Sequence, residues 1–504
     1  MQRDDASVAG VALDFPLWLR ATHFFNLLFL SLLVRSGLEI LSAHPKLYWN
    51  DDCTPGSEWL SFSTSPPQDS RPRVASDDES SWSSWIALPG HENLGLGRHW
   101  HFLSDVGWLL AGVTYVAMLA VTPEWRRLIP TSWQILPAAW HTLGRYLTLH
   151  VVRTPGAYNP LEQLSYATIV FVVAPLSVAT GVAMSPAVAA RFPWYLRIFH
   201  GRQSARSIHF LCLVAFVLFF VVHVTMVVLH GFREELAAIV LGQTHRPDLT
   251  RALVVGIAGM AIVVVIHVLA TVCSLRRPRF VQQTTQAVTR PLRHLLFGHA
   301  ISAEGYAPRE VSASFWVNGR PPVEDAYLAL ARDGFADYRL EVGGLVRTPL
   351  RLSLADLRAM PKRTQITKHC CIQGWSGVAE WGGVPMRHIL DLCGPLPAAR
   401  YILFRAYDDK STSEPHGHGA GHFYGTISLA AADDPQTLLA YEMNGQPLPV
   451  PHGAPLRLRV EAQLGFKMVK YIQAIELIDD YGAIGAGQGG WREDHQYFSQ
   501  EAGI

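Results

Sequence analysis

His209 and His223 lie in one long apolar run, HFLCLVAFVLFFVVHVTMVVL. Fourteen residues separate them, close to four helical turns. Both imidazoles therefore project from one helix face, about 21 Å apart along the axis at roughly 1.5 Å per residue. A bilayer hydrocarbon core is about 30 Å thick, so the pair falls near its two sides. Ionisable residues inside a span are costly and read as functional. Imidazole is a good iron ligand, and two same-face histidines at two depths fit two stacked haems carrying electrons across a membrane. A second group with chemical potential is KHCCIQGWSGVAEWGGVPM, which holds Cys370 and Cys371. On an extended segment adjacent side chains point to opposite faces, so at most one cysteine enters a given site. Gly374, Gly377, Gly382 and Gly383 allow the close backbone approach that a large cofactor requires. Taken alone, a cysteine is more commonly a small buried hydrophobe.

These groups need scaffolds of two kinds. The 504 residues are 49% hydrophobic and 16% charged, but the apolar runs are concentrated before residue 275. Five spans are expected, near 17–41, 103–121, 165–187, 207–230 and 251–273, each long and apolar enough to cross a bilayer. Pro175 should kink the third. The loop 42–102, rich in Ser, Pro, Asp and Trp and containing Cys53, has no helical period and reads as a small cap or as partly disordered. Residues 276–310, with RRPR, read as a linker. Beyond it YRLEVGGLV, TPLRLSL, YILFRAY, PLRLRVE and KYIQAIELI read as strands, and SLADLRAMP and PMRHILDLC as short helices. The expected architecture is multi-domain: an all-α transmembrane helical bundle over 1–275, then an α+β domain over 311–504. Net charge is +1, so nothing points to nucleic acid. Six scattered cysteines without a CxxC pair give no disulfide framework. The N-terminus shows neither a cleavable signal pattern nor a twin-arginine motif, so the first apolar helix is expected to remain as a span.

Topology selects the histidine partners. Two b-type haems need four axial imidazoles, usually from different helices. His23 opens the first span and His223 closes the fourth, so they share one side; His101 and His209 both open spans at the other. Depth alone gives the pairs His23–His223 and His101–His209. His99 competes with His101 from two residues away, and His230 and His267 are left over. His267 is assigned to structure, or to the neighbourhood of a quinone.

RATHFFN with Gly37, RHWHF, MSPA and GRQSARSIHF followed by His223 resemble the bacterial cytochrome b561 type, which includes the cytochrome b subunits of formate dehydrogenase, nickel hydrogenase and thiosulfate reductase. The likeness covers about 15–235 and implies a four-helix dihaem core exchanging electrons with quinone; the fifth span and the long first loop are additions to that pattern. NGRPP, LEVGGLVRTPLRLSLADLRAMP, CIQGWS, LAYEMNGQPLPVPHGAPLRL and GFKMVKY together resemble the sulfite oxidase family of molybdenum enzymes, over about 311–480, and look most like its methionine sulfoxide reductase catalytic subunits. That resemblance implies a molybdenum–molybdopterin cofactor with Cys371 as thiolate ligand, a sensible partner for a redox metal. It also implies pterin contacts from Phe315, Trp316, His452, Arg457, Lys467 and Lys470, the guanidinium suiting phosphate oxygens. Without it, Arg457, Arg459, Lys467 and Lys470 read as a solvated hairpin face. Tyr424 matches an active-site tyrosine of the family, able to steer an oxygen or relay a proton; a half-buried strand tyrosine is the plain alternative. His416, His418 and His422 in EPHGHGAGHFYG read as a Gly-spaced substrate loop.

Two departures bear on substrate. The stretch after Cys371 lacks the arginine with which sulfite oxidases hold their anion, and fewer than about thirty residues follow Asp480, too few for the family's second, dimerisation domain. The expectation is therefore a bacterial inner-membrane oxidoreductase, embedded in lipid, linking the quinone pool, two b haems and molybdenum, and moving an oxygen atom to or from a small S- or N-containing molecule. Reduction of an S- or N-oxide is favoured over a sulfite-type oxidation that sends electrons to quinone; a non-catalytic binding module on a cytochrome b is the alternative from another class. Arg191, Arg197, Arg202, Arg206, Arg276, Arg277 and Arg279 favour a cytoplasmic face for the second domain. Arg126, Arg127, Arg145 and Arg153 lie on the other side, and the family resemblance implies a periplasmic one.

Overall fold

A computed structural model describes residues 14–63, 74–152, 158–243, 247–297, 305–414, 419–500 and 502. Five helices among the described residues are long and apolar enough to cross a membrane: α1 (Leu17–Ser42), α2 (Leu94–Val121), α3 (Pro160–Ala183), α4 (Arg202–Leu241) and α5 (Leu249–Arg276). Four start earlier than the apolar runs alone indicate, at Leu94, Pro160, Arg202 and Leu249. At α3 that extension is a capping box: Asn159 accepts from the Leu161 and Glu162 amides, while Glu162 turns back to the Asn159 amide. The α3 ladder widens to a π-helical segment at Ile169–Val173, just before Pro175, whose missing N–H disturbs the hydrogen bonding there. Gly231 breaks the regular geometry of α4 with φ 127°, one residue beyond the expected end of that span. Outward faces of the spans carry exposed Leu110, Val113, Leu218, Val254 and Ile257, the surface of a protein whose solvent is lipid.

The chain divides into two compact units. One comprises residues 1–36, 100–182 and 207–276; the other comprises 37–99, 183–206 and 277–504. The second gathers the stretches that follow α1, α3 and α5. The first loop is thus neither an isolated cap nor featureless: its described residues belong with the C-terminal domain. Within it β1 (Lys46–Leu47) pairs antiparallel with β2 (Leu60–Ser61). Lys46 and Asp78 form a buried ion pair at 3.0 Å. Residues 278–297, expected as linker, form a helix, α6 (Pro278–Phe297).

The rest of this unit holds two five-stranded sheets. One has the order β4 (Leu350–Ser353), β3 (Arg339–Gly344), β12 (Ile472–Ile478), β7 (Tyr401–Asp409), β8 (His422–Ser428), with β12 parallel to β3 and antiparallel to β7. The other runs β10 (Gln446–Pro447), β9 (Leu438–Met443), β6 (Ser376–Pro385), β5 (Arg363–Cys370), and β11 (Arg457–Arg459) also pairs with β9. Alternating apolar residues of these strands, among them Leu340, Val342, Ile402, Phe404, Leu458, Ile475 and Leu477, meet the helix Met386–Cys393 in a continuous core. The strands and helices expected from the sequence lie on these elements.

Candidate functional site

In the helical unit the four histidines meet in two pairs. The His23 and His223 ring centres are 6.3 Å apart, and those of His101 and His209 are 6.4 Å apart. Two imidazoles held by one metal through bonds of about 2 Å, each ring centre roughly 1 Å beyond its nitrogen, would be separated by about 6 Å. The hydrogen bonds supply the matching tautomer. His209 Nδ1 is 2.9 Å from the Ser177 carbonyl, which can only accept, so Nδ1 carries the proton and Nε2 keeps its lone pair. His101 Nδ1 meets Ser36 Oγ at 3.1 Å; that hydroxyl donates to the Leu32 carbonyl, so it accepts from the ring. His223 Nδ1 lies 3.1 Å from Tyr166 OH. Such outer partners orient metal-binding imidazoles. These side chains fit b-type haem.

His267 is built the other way. Arg35 Nη1 donates to its Nδ1 at 2.8 Å, so Nε2 carries the proton and donates to Ser31 Oγ at 2.9 Å. Both ring nitrogens are committed, which makes His267 a tie between α5 and α1 rather than a ligand. His230 bonds Tyr146 OH at 3.2 Å.

In the second unit Cys370 ends β5 half-buried, and Cys371 turns inward, 1% exposed. A tight loop follows: the Cys371 amide donates to the Trp375 carbonyl, and the Gly374 amide to the Cys371 carbonyl. Gly374 takes φ 118°, a conformation side chains disfavour. Gln203 Nε2 donates to the Gly374 carbonyl at 2.9 Å, and Ser376 Oγ donates to the Asp51 carbonyl at 3.0 Å. Asp51 also pairs with Lys368. The stretches 37–99 and 183–206 therefore fasten the cysteine loop.

Cys371 Sγ has Gln373 Oε1 at 3.4 Å and Asn318 Nδ2 at 3.7 Å. Trp375 Nε1 donates to Gln373 Oε1, and Gln373 Nε2 donates to Glu79. Burial pushes the Cys371 thiol up to about 12, against the pull of the Gln373 amide, Arg492 and Arg202. A metal cation would have to displace that proton.

Phe315 sits at the hub of a ring cluster, with centres 5.6–5.7 Å from His369, Trp375, Trp381 and His452. Arg457 and Arg459 stack over Trp381 at 4.9 and 4.3 Å. Arg457 is buried, not solvated: burial, reinforced by Arg459, pulls its guanidinium down to about 9. Burial with Arg457 beside it takes Lys470 well below the usual ammonium range. Burial, then Arg457 and Lys470, pulls His452 down to about 3. Among the described residues Arg457 Nε, Trp381 Nε1 and Asn318 Oδ1 are buried without a hydrogen-bond partner. Buried basic groups that hold one another's charge down, with unsatisfied donors beside a buried thiol, fit an anionic, heteroatom-rich cofactor such as molybdopterin, whose charge would offset theirs.

Three of the sequence-selected residues have their polar groups committed to other partners, although Trp316 packs in one buried cluster with Cys371 and Trp375. Lys467 is held by Glu493, by Gln500 Oε1 at 2.6 Å and by the Thr426 carbonyl at 3.1 Å. Trp316 donates to the Cys53 carbonyl at 2.7 Å and stacks edge-on against His44. Tyr424 OH donates to Asp494, and burial together with that carboxylate holds the phenol well above its ordinary range. His422 is exposed on β8, and His416 and His418 lie outside the described residues. Asn318, Gln373, Glu79, His369, Trp375 and Trp381 are additions. Five sit in or beside quoted motifs; Glu79, 294 residues from Gln373, carries no local signal.

Comparison with known proteins also gives two parts, but the first match runs through residues 37–99 and 183–206, which the structure places in the second unit. The description "Prokaryotic cytochrome b561" matches residues 14–242, and "Oxidoreductase molybdopterin binding domain" matches 328–482. The chain is 38% identical over 162 residues to a putative protein-methionine-sulfoxide reductase subunit YedZ1 of Azospira oryzae, covering 32% of this chain and 55% of that protein. It is 35% identical over 147 residues to the protein-methionine-sulfoxide reductase catalytic subunit MsrP of Gluconobacter oxydans, covering 28% and 47%. It is 31% identical over 169 residues to sulfite oxidase of Arabidopsis thaliana, covering 29% and 43%. The chain thus spans about half the length of the curated relatives it matches. Two family models thus match in series along one polypeptide, prokaryotic cytochrome b561 first and the oxidoreductase molybdopterin binding domain second.

Proposed function

We propose that the chain is a membrane-bound molybdenum oxidoreductase linking the quinone pool, two b haems and a molybdenum–molybdopterin centre. That centre supplies oxygen-atom transfer to or from a small S- or N-containing substrate. The observation that carries this reading is the coexistence of two imidazole pairs at 6.3 and 6.4 Å with a buried thiol inside a cationic, aromatic cradle. His23 with His223, and His101 with His209, would hold haem iron. Cys371 would hold molybdenum. Arg457, Lys470, His452 and Phe315 would seat the pterin, with Trp316 and Lys467 fixing the surrounding wall. Tyr424 acts through the C-terminal segment it anchors.

The direction favoured is reduction of an S- or N-oxide. A small pocket beside the cysteine loop is lined by Gln373, Arg492, Glu79, Glu92 and Gln496. The void holds about one water, at about 10 Å³, so it bears on charge rather than on fit: two carboxylates against one guanidinium beside the cysteine loop disfavour an oxyanion more than a neutral S=O or N–O dipole. Arg492 is also what favours the second reading, a sulfite-type oxidation, since it is a cation close to the place where the sequence lacks one.

The test is a reduced-minus-oxidised optical spectrum with iron and molybdenum analysis of the purified chain, then turnover with each donor and acceptor. Two haems and one molybdenum per chain, with oxidation of a reduced quinol analogue by a sulfoxide, are expected. Chain without molybdenum would overturn the enzyme reading; sulfite-driven quinone reduction without oxide reduction would reverse the direction. A reporter fusion after residue 280 decides between a cytoplasmic catalytic unit, favoured by the loop arginines, and a periplasmic one, implied by the family resemblance.

A further inference from the structure

We infer that α6 is a lipid-facing surface helix whose partner is an anionic bilayer surface. Three observations meet on it. First, only Arg277 separates it from α5, so covalent continuity starts it where the fifth span ends. Second, Phe280, Val288 and Leu295 are 58%, 51% and 81% exposed, and Leu292 is 46% exposed. With Thr284 and Pro291 between them, they recur at helical spacing and make one apolar stripe. Third, Arg276, Arg277, Arg279, Arg290 and Arg293 fall in this stretch, and no Asp or Glu lies between Arg276 and Phe297.

The neighbouring edge of the helix is already used in its first two turns. Val281, Gln282 and Thr285 are buried, and Gln282 Nε2 donates to the Phe498 carbonyl at 3.0 Å. Arg279 donates to the Asp494 carbonyl and stacks over Tyr497 at 4.7 Å. The first two turns are therefore docked within its own unit, while the stripe itself stays exposed beside that edge. An apolar stripe with arginines and no acid in the helix's own sequence is the composition that lies in a headgroup region and prefers anionic lipid. A protein partner would need complementary acid and apolar groups that a lipid surface already provides.

Full-length protein in nanodiscs tests this with a nitroxide at Leu295→Cys, the labelled parent chain serving as blank and Gln283→Cys as exposed control. Discs of phosphatidylcholine alone are compared with discs containing about one third phosphatidylglycerol. The expected result is that oxygen relaxes the 295 label several-fold more, relative to a water-soluble nickel chelate, than it does the 283 label. The contrast should grow in the phosphatidylglycerol discs and lose that growth in an Arg290→Gln/Arg293→Gln background. Equal chelate access at 295 and 283 would overturn the inference, and immersion that ignores phosphatidylglycerol would overturn its anionic preference. Retained haem absorbance in every variant reports that the chain is folded.

Discussion

The helical unit and the cofactor-domain unit solve the same problem by opposite means. In the first, each metal-binding candidate is placed by a regular helix, and its orientation depends on a neighbour such as Ser36, Ser177 or Tyr166. In the second, Cys371 is placed by a five-residue loop held by partners as distant in sequence as Asp51 and Glu79. Removing one support in the helical unit should therefore weaken one centre, whereas the second unit should respond as a whole. Regular periodicity gives modular sites; irregular loops give cooperative ones.

The sharpest break of that contrast is Cys371→Ser. Turnover should fall by more than about a hundred-fold, beyond the usual effect of an outer-sphere partner, with both haem signals intact in the optical spectrum. Full turnover would remove Cys371 from the metal site. Next are the histidine pairs. His23→Ala with His223→Ala should leave half the haem absorbance, while His23→Ala with His101→Ala should leave none; equal haem in the two double variants would refute pairing by depth. Arg457→Gln comes third. Loss of one charge-assisted hydrogen bond, about 1.5–3 kcal/mol, should lower pterin retention roughly ten- to a hundred-fold as read by fluorescence of the released cofactor. Ser36→Ala should act more mildly, shifting the midpoint potential of one haem while the other titrates unchanged.

The smallest effect concerns acid. His452 is held at about 3 in the folded chain by burial and its cationic neighbours, against about 6.5 when unfolded. The folded state binds fewer protons, so this contribution is present above about pH 6.5 and is lost as pH falls towards 3. Thermal melts of cofactor-free protein should show the loss, and His452→Gln should flatten it. An unchanged acid slope would mean that other groups set it.

What the sequence made legible follows the same division. His209 and His223 could be read from spacing because a span has one period and one thickness, and antiparallel connectivity then fixed His23 and His101. Cys371 could be read only through its motif. Its supports were invisible, because Lys368 and Gln373 carry no sign of partners some three hundred residues earlier. The first loop looked featureless since its order comes from strands far along the chain, and α6 looked like a linker because its arginines and glutamines mask a helical stripe. Tyr424 shows another limit of scale: a local motif match cannot report that its hydroxyl meets Asp494.

The scattered make-up of the second unit has a bearing on how the chain is made. Asp51 leaves the ribosome 317 residues before Lys368, a delay of roughly 15–60 s at ordinary elongation rates. Until then the early segment must wait without its eventual partners. Severing the gene near residue 300 would yield a C-terminal half in which Trp316, Lys368 and Gln373 have lost their counterparts, so co-expression of both fragments, rather than either alone, is the route to a folded C-terminal half.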